Sequence, residues 1–317
     1  MAKRILLLPR SFRLVRAEFP LPGEEKDSPA SLAYFGEGES LHYFFSLLKV
    51  SPQPEVSHCP LYGLYSQIRK VAAGRQILVI EVNRLLKGLL PSGGLISYPW
   101  VRQRAFLNHP FFRSRRQGIE NSYGRKVRQH QYEPRQTRDP VELERFYHHY
   151  YLPHMQARFG ALAHPRSLSD LRRALRSGFL LQILRKGKWV AGAVCGCLPG
   201  SVQALAFGLD WSDQQEWNHG ALSAVYYFLF DWAEKNDIPI VDLLRSRANR
   251  ADGVFIHKSR WGALPERDPW PHTLLRFYFS PSMALPALFK TQLVWQAGKF
   301  LPMVELLEPR KEEAIES

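Results

Sequence analysis

Clusters of apolar residues predict an ordered series of strands and helices in the second half of the chain. Three apolar runs, 179–185, 189–197 and 202–209, are separated by short turns that contain glycine. Such short connections force neighbouring strands to run antiparallel. A long apolar and aromatic stretch at 221–235 predicts a helix, and 239–244 predicts a further strand. Because a helix between two strands of one sheet is a crossover, we expect this strand to run parallel to 202–209.

Helix-capping residues mark two helices that precede these strands. The segment Asp139-Pro140-Val141-Glu142 combines an N-cap acid, a proline at the first helical position and an acid at the third. The helix is predicted to run to about Phe159, with a kink at Pro153. A second, shorter helix is predicted within 167–178.

The first 135 residues carry weaker signals and many prolines. An apolar β-branched run at 76–82 predicts a buried strand, and 95–98 a short one. Residues 5–8 predict a first strand that ends at Pro9, and are too few for a secretory signal. Residues 283–304 contain Lys and Pro and are too polar to span a bilayer. They either pack on the domain, which we favour, or lie on a membrane surface.

Composition places the chain among ordinary globular proteins, since 45% of its residues are hydrophobic and 23% are charged. Its 317 residues suffice for two domains or one large one. Three cysteines exclude a disulfide framework, and Cys195-Gly196-Cys197 lacks the spacing of a metal or redox motif. We therefore expect a cytoplasmic protein that needs no metal, with the two cysteines of this strand facing the same side in the core.

The net charge of the chain indicates which classes of molecule it could bind. The chain has 43 Lys and Arg residues against 29 Asp and Glu, a net charge of +14, and a pI near 9.8. Such a balance suits polyanions: nucleic acid, anionic lipid or a substrate with several phosphates. Many arginines fall within 113–138, among them Arg115, Arg116 and Arg125. They form either a phosphate-binding surface or a solvated face that only maintains solubility.

The order of these elements resembles the acyltransferase fold of the GNAT superfamily and more narrowly its FemAB-type branch. Five short segments also carry this resemblance. The segments are 122–128, 144–159, 187–193, 240–244 and 257–262. The last two, Ile-Val-Asp-Leu-Leu and His-Lys-Ser-Arg-Trp-Gly, are the most specific, and the resemblance covers about 120–265. It implies an α/β fold with a mixed central sheet and flanking helices. It also implies a degenerate N-terminal half at 1–120, a complete domain at 121–280 and a C-terminal helical extension at 281–317.

Three candidate catalytic residues lie in the last strand or after it, and the resemblance implies the role of the first. Lys258 would stabilise negative charge on a phosphate or on the tetrahedral oxyanion. His257 beside it is the best candidate for a general base. Asp242, inside the last strand, is either a base or the partner of an arginine.

Candidate substrate- and donor-binding residues share a basic or aromatic side chain or a place at a helix start. Arginines after the last strand suit phosphate or carboxylate, and a helix N-terminus binds phosphate through backbone N–H groups. The two strands 202–209 and 239–244 should splay and leave a cleft for the donor. The candidates are Arg245, Arg247, Arg260, Trp261, Gly220, His219, Tyr98, Trp100 and Arg104.

The resemblance implies an acyltransferase that moves an acyl or aminoacyl group onto an amine of a phosphate-bearing precursor, of an envelope polysaccharide or peptidoglycan type. The donor would be acyl-CoA or aminoacyl-tRNA, with no permanently bound cofactor. The acceptor would be a small molecule or lipid-linked. The alternative is a non-catalytic nucleic-acid-binding protein that retains the fold, which turnover of an amine acceptor would exclude.

Overall fold

The computed structural model describes most of the chain. The described residues are 13–20, 31–36, 40–41, 43–44, 57–60, 76–90, 92–160, 163–268, 273–279 and 287–307. The strand predicted at 5–8 lies outside them.

The strands alternate with helices mainly between residues 100 and 260. In chain order they are β1 (Arg13–Pro20), β2 (Ser31–Gly36), β3 (Ser57–Pro60), β4 (Gln76–Asn83), β5 (Leu95–Ser97), β6 (Trp100–Phe106), β7 (Tyr132–Thr137), β8 (Phe179–Arg185), β9 (Lys188–Leu198), β10 (Ser201–Leu209), β11 (Ile240–Arg247), β12 (Leu264–Glu266), β13 (Thr273–Phe279), β14 (Leu293–Gln296) and β15 (Lys299–Pro302).

The helices include two π-helical turns that join α-helical segments. The α-helices are α1 (Pro110–Ile119), α2 (Arg125–His130), α3 (Pro140–Phe146), α4 (Leu152–Phe159), α5 (Leu168–Leu175), α6 (Gln214–His219), α7 (Ala221–Lys235), α8 (Gly253–Arg260), α9 (Ala287–Lys290) and α10 (Val304–Leu307). The π turns are Glu120–Gly124 and Tyr147–Tyr151, and Arg84–Leu89 is a 3₁₀ helix. Within the described residues, no helix is both long and apolar enough to cross a bilayer.

One sheet orders its described strands β12-β6-β11-β10-β9-β8-β7. β8, β9 and β10 are antiparallel neighbours, and β11 runs parallel to β10 after the crossover helix α7. The predicted order of three antiparallel strands, helix and parallel strand is therefore confirmed, as is the α/β class with a mixed sheet flanked by helices.

Apolar side chains cover both faces of this sheet. On one face α7 packs with α1, α2 and the aromatic ring of Trp261. On the other, Phe146, Tyr150 and neighbouring residues of α3 to α5 pack against Trp189 and Val194. Cys195 is fully buried in the first cluster and Cys197 is partly buried against it, as predicted.

The long helix predicted from Asp139 is present but is interrupted by a π turn. The Asp139 carboxylate accepts the N–H of Val141, which confirms the N-cap. Pro153 has no N–H to donate to the carbonyl four residues earlier. The chain accommodates this with the π turn Tyr147–Tyr151 just before the proline, where the N–H of Leu152 bonds to the carbonyl of Tyr147.

The other sheet orders its described strands β15-β14-β5-β13-β4-β2-β1-β3. The strands predicted at 76–82 and 95–98 are β4 and β5. The C-terminal segment differs from the predicted helical extension, because β14 and β15 form a hairpin and β14 also pairs with β5. Phe289, Leu293 and Met303 are fully buried, so this segment packs into the domain.

The described residues fall into two compact units. One lies within Met1–Val101, Ser246–Phe255 and Glu266–Ser317, and the other within Arg102–Arg245 and Ile256–Pro265. This division differs from the boundaries predicted at 120 and 280. Each unit is built around one of the two sheets, and with β13 the chain returns to the eight-stranded sheet.

Candidate functional site

An opening in the seven-stranded sheet, which we call the splay cleft, separates the C-terminal half of β10 from β11. β10 pairs with β9 along Ser201–Leu209 but with β11 only at Ser201, Val202 and Gln203. The register of β10 against β9 also shifts between Ala204 and Ala206. The divergence predicted for these strands is therefore present.

Two side chains lie beside this opening. Tyr226 of α7 stacks on Phe207 of β10, with ring centroids 4.5 Å apart. The ring of His257, from α8, meets Tyr226 edge-on at 4.8 Å. His257, the candidate base, is thus linked through Tyr226 to the part of β10 that diverges from β11.

The environment of His257 keeps its ring neutral. Burial lowers the pKa of His257 to about 4, and the charges of Arg158, Arg260 and Lys258 act in the same direction. Its Nε2 atom is enclosed and has no hydrogen-bond partner among the described residues. Nδ1 is therefore the ring nitrogen that is left to accept a proton.

Arg158 of α4 is not among the predicted site residues. Burial lowers the pKa of His257 and of His154 and raises that of Tyr226, and the positive charge of Arg158 acts to lower the pKa of all three. Arg158 is exposed and lies one helical turn after His154 on α4, so these two side chains share a face of the helix.

An aromatic cluster follows the end of β10. Trp211 donates its indole N–H to Nδ1 of His154 at 3.2 Å and stacks on Trp217 at 5.6 Å. Burial lowers the pKa of His154 to about 4. Trp217 remains 41% exposed, so this cluster presents an aromatic surface to solvent beside Arg158.

Lys258 is buried, and its ammonium donates to the backbone carbonyl of Arg245 at 2.6 Å. The lysine therefore ties α8 to the end of β11. An ammonium has three donors, so this bond alone does not exclude the predicted role in charge stabilisation.

Asp242 is placed as the partner of arginines rather than as a base. It is fully buried, forms an ion pair with Arg102, and accepts the Nε–H of Arg104 at 3.3 Å. It also accepts the N–H of Leu244 at 2.8 Å. Because its oxygens are occupied and enclosed, the catalytic assignment of Asp242 is corrected, and Arg104 is its partner.

The prediction that Trp261 binds a ligand is also corrected. The side chain has no exposed surface and stacks on Tyr123 at 4.4 Å, Tyr226 at 5.4 Å and Phe230 at 5.5 Å. Its indole packs the core beneath α8, so it supports the helix that carries His257. The neighbouring Arg260 is exposed.

The arginines predicted in a loop lie in strand β11 instead. Leu244 adopts φ 63°, a left-handed conformation that ends the predicted run of apolar strand residues, but the strand continues to Arg247. Arg245 is exposed.

Gly220 and His219 lie at the start of the crossover helix. Gly220 has φ 88° and joins α6 to α7. His219 stacks on His130 at 4.4 Å, and its Nδ1 lies 3.2 Å from Nη1 of Arg185. The same guanidinium donates to buried Glu216, so a polar network borders this helix N-terminus.

Three predicted binding residues belong to the other compact unit. The guanidinium of Arg247 lies 3.9 Å from the ring centroid of Trp100 and 4.7 Å from that of Tyr43. Tyr98 is buried and faces Phe300 edge-on. Tyr98 is therefore a core residue of its unit, and Trp100 is covered by Arg247.

No local pattern in the sequence marks the set Arg158, His154, Trp211 and Trp217, because these residues lie on different elements and share no motif. Tyr226 alone among these neighbours lies in a recognisable sequence pattern, the apolar stretch that predicted a core helix. Within the described part of the chain, no group of three or more His, Cys, Asp or Glu residues is placed to hold a metal ion. Beside the splay cleft, the neutral ring of His257 can accept a proton.

Several solved structures are similar to this chain. L-PGS from Bacillus licheniformis shares 10% sequence identity, with 81% of this chain and 79% of that chain covered and a TM-score of 0.40. FemX shares 11%, covering 83% and 88%, with a TM-score of 0.40. A GCN5-related N-acetyltransferase from Kribbella flavida shares 14%, covering 89% and 94%, with a TM-score of 0.29. No protein-family model matches the chain, and no curated protein matches it significantly.

Proposed function

We propose that this protein transfers an acyl or aminoacyl group to an amine, with the reaction taking place at the splay cleft. The observation that carries the proposal is the divergence of β10 from β11 with the ring of His257 beside the opening. Amine acylation requires a base that accepts a proton and a cation that stabilises the developing oxyanion, and the positive charge of Arg158 acts on the same histidine ring.

His257 acts as the proton acceptor in this proposal. The amine nitrogen attacks the acyl carbonyl carbon, a C–N bond forms, and the C–S bond of a thioester or the C–O bond of an aminoacyl ester breaks. Nδ1 of His257 takes the proton from the nitrogen and passes it to the leaving sulfur or oxygen. Because its pKa is about 4, the ring is free to accept a proton at neutral pH.

Arg158 stabilises the carbonyl oxygen as negative charge develops on it. Its guanidinium is exposed and its positive charge acts on His257, and a cation that meets the developing negative charge lowers the barrier. The N-terminus of α7 at Gly220, bordered by His219 and Arg185, is the proposed binding place for the phosphates of the donor.

The acceptor is proposed to carry phosphate, as precursors of envelope polymers do. The net charge of +14 and the exposed cations Arg115, Arg125 and Lys126 support an anionic substrate. The donor is acyl-CoA or aminoacyl-tRNA, both of which carry phosphates.

A direct test offers the protein acetyl-CoA or charged tRNA together with amino-sugar phosphates and amino-sugar nucleotides. Acylated product is detected by mass. We expect His257→Gln and Arg158→Gln each to lower turnover by roughly 10²–10³. The matched control Arg176→Gln, at an exposed arginine after α5, should retain activity.

The dependence of rate on pH provides a second readout. Protonation of His257 should remove activity only near pH 4, below the ordinary histidine range. If folded protein binds RNA but acylates none of these amines with either donor, the nucleic-acid-binding alternative replaces this proposal.

A further inference from the structure

A cavity of about 630 Å³ lies on the seven-stranded sheet, and neither His257 nor Arg158 lines it. We call it the hairpin cavity, because the turn between β8 and β9 forms one wall. The edge strand β7 and the helical segment from α3 into the π turn form the others. Its size is in the range of small-molecule binding sites.

Most charges that line the hairpin cavity are paired within it. Lys188 Nζ lies 3.1 Å from Oδ2 of Asp210, and Arg135 Nη2 lies 3.9 Å from Oε1 of Glu142. The remaining cation is Arg145 of α3, which is exposed and has no carboxylate within 4 Å in the described part of the chain. The lining therefore has a surplus positive charge located at Arg145.

The aromatic wall beneath Arg145 is held in place. The Arg145 guanidinium carbon lies 5.7 Å from the ring centroid of Trp189. The Trp189 indole N–H bonds to the carbonyl of Ala191 at 2.8 Å, and its ring stacks on Tyr150 at 4.4 Å. The Tyr150 hydroxyl in turn donates to the carbonyl of Trp189 at 3.0 Å. A ligand would meet a preorganised surface, which lowers the entropic cost of binding.

The π turn contributes to this arrangement. It inserts an additional residue between Arg145 and Pro153, and Tyr150 lies within it. π turns inside helices occur frequently at functional sites. Here the turn places His149 and Tyr150 on the cavity wall that also carries Arg145.

We propose that the hairpin cavity binds a small organic anion whose carboxylate or phosphate group pairs with Arg145. A guanidinium presents parallel donors that match either group. The apolar part of the ligand lies along the cavity wall next to Trp189 and Tyr150, which are 5% and 6% exposed and hold that wall rigid. The cavity residues have no role in the acyl-transfer proposal, so the two proposals stand independently.

Calorimetric titration of the full chain with benzoate, phenyl phosphate and benzylamine, at constant ionic strength, tests this site. At least one of the two anions should bind, and benzylamine, which has the same ring with a positive charge, should not. Arg145→Gln should weaken anion binding by about tenfold or more. Arg145→Lys should weaken it less, because the charge is kept and the fork is lost. A preference for benzoate or for phenyl phosphate identifies the anion as carboxylate or phosphate.

Arg176→Gln is the matched control, since it removes an exposed arginine outside the cavity and should leave affinity within a factor of two. The thermal midpoint of each variant verifies folding. Binding of neither anion, equal binding of benzylamine, or an Arg145→Gln affinity within twofold of the wild type would overturn the proposal.

Discussion

Buried histidines connect individual side chains to the acid stability of the protein. His154 is 3% exposed, and burial lowers its pKa to about 4. The unfolded chain binds a proton there from about pH 6.5 downwards, whereas the folded chain resists protonation until about pH 4. Stability is therefore fully present above pH 6.5 and falls as the pH decreases from 6.5 to 4.

We expect His154→Gln to reduce this acid sensitivity. Glutamine can still accept the N–H of Trp211 but does not titrate, so a loss on the order of 3 kcal/mol between pH 6.5 and 4 should disappear. Thermal or urea unfolding across this range measures the effect. His148→Gln, at an exposed histidine nearby, is the control. An unchanged slope in His154→Gln would show that other groups set the acid sensitivity.

Lys258 has two candidate roles that an experiment can separate. One is the structural bond to the carbonyl of Arg245, and the other is the predicted stabilisation of negative charge. Lys258→Met fills the same space but leaves the carbonyl of Arg245 without this donor. We expect a loss of about 1–3 kcal/mol in the free energy of unfolding. Denaturant unfolding and turnover should be measured on the same variant. Unchanged stability with turnover reduced by roughly 10²–10³ would instead support the predicted catalytic role.

At the scale of elements, local signals predicted the structure well where they were complete. The N-cap at Asp139, the turns between β8, β9 and β10, and the apolar helix α7 all appear as expected. β6 was missed because its inward positions, Val101, Gln103 and Ala105, alternate with arginines that suggested a binding cluster. The period of two was present, but the charged side chains masked it.

Close packing of α3 and its π turn on the sheet depends on glycine at position 208 of β10. A Cβ there would lie 2.8 Å from Cε2 of Phe146 and from the backbone carbon of Tyr150. We expect Gly208→Ala to reduce the free energy of unfolding by about 1–3 kcal/mol, because the helix must shift.

Gly118→Ala provides the contrast for this prediction. Gly118 lies in α1 with nothing within 4 Å of the added Cβ, so alanine should stabilise by about 0.5–1 kcal/mol. Thermal unfolding of both variants distinguishes the packing effect from the helix propensity. Equal midpoints would mean that α3 is not held against β10 as described.

At the scale of the whole molecule, the division into units could not be inferred from local patterns. β13 (Thr273–Phe279) pairs with β4 (Gln76–Asn83), nearly two hundred residues earlier. Nothing in either segment specifies that partner, because apolar strands pair according to the core that they share. The splay of β10 and β11 could be predicted from strand order, but Arg158 and the cluster of His154, Trp211 and Trp217 depend on tertiary packing.

The net positive charge leads to a prediction about substrate binding. Arg116 pairs with Glu234 at 2.9 Å and with Glu120, so it stabilises the helices. The variants that test substrate binding therefore keep Arg116. Arg115 and Arg125 are exposed on α1 and α2. Arg115→Ala with Arg125→Ala should raise KM for a phosphate-bearing substrate severalfold and leave kcat unchanged, because uniform charge attraction lowers ground and transition states alike.

A second double variant, Arg173→Ala with Arg176→Ala, removes the same number of positive charges near α5. If α1 and α2 bind the phosphates directly, only the first pair should raise KM, and the difference should shrink as salt screens the charges beyond roughly 10 Å. If both pairs raise KM equally, the field of the whole molecule attracts the substrate and no local phosphate-binding surface exists there. Steady-state kinetics at low and at physiological ionic strength separate these outcomes. KM values that match the wild type in both variants would show that these arginines form only a solvated face.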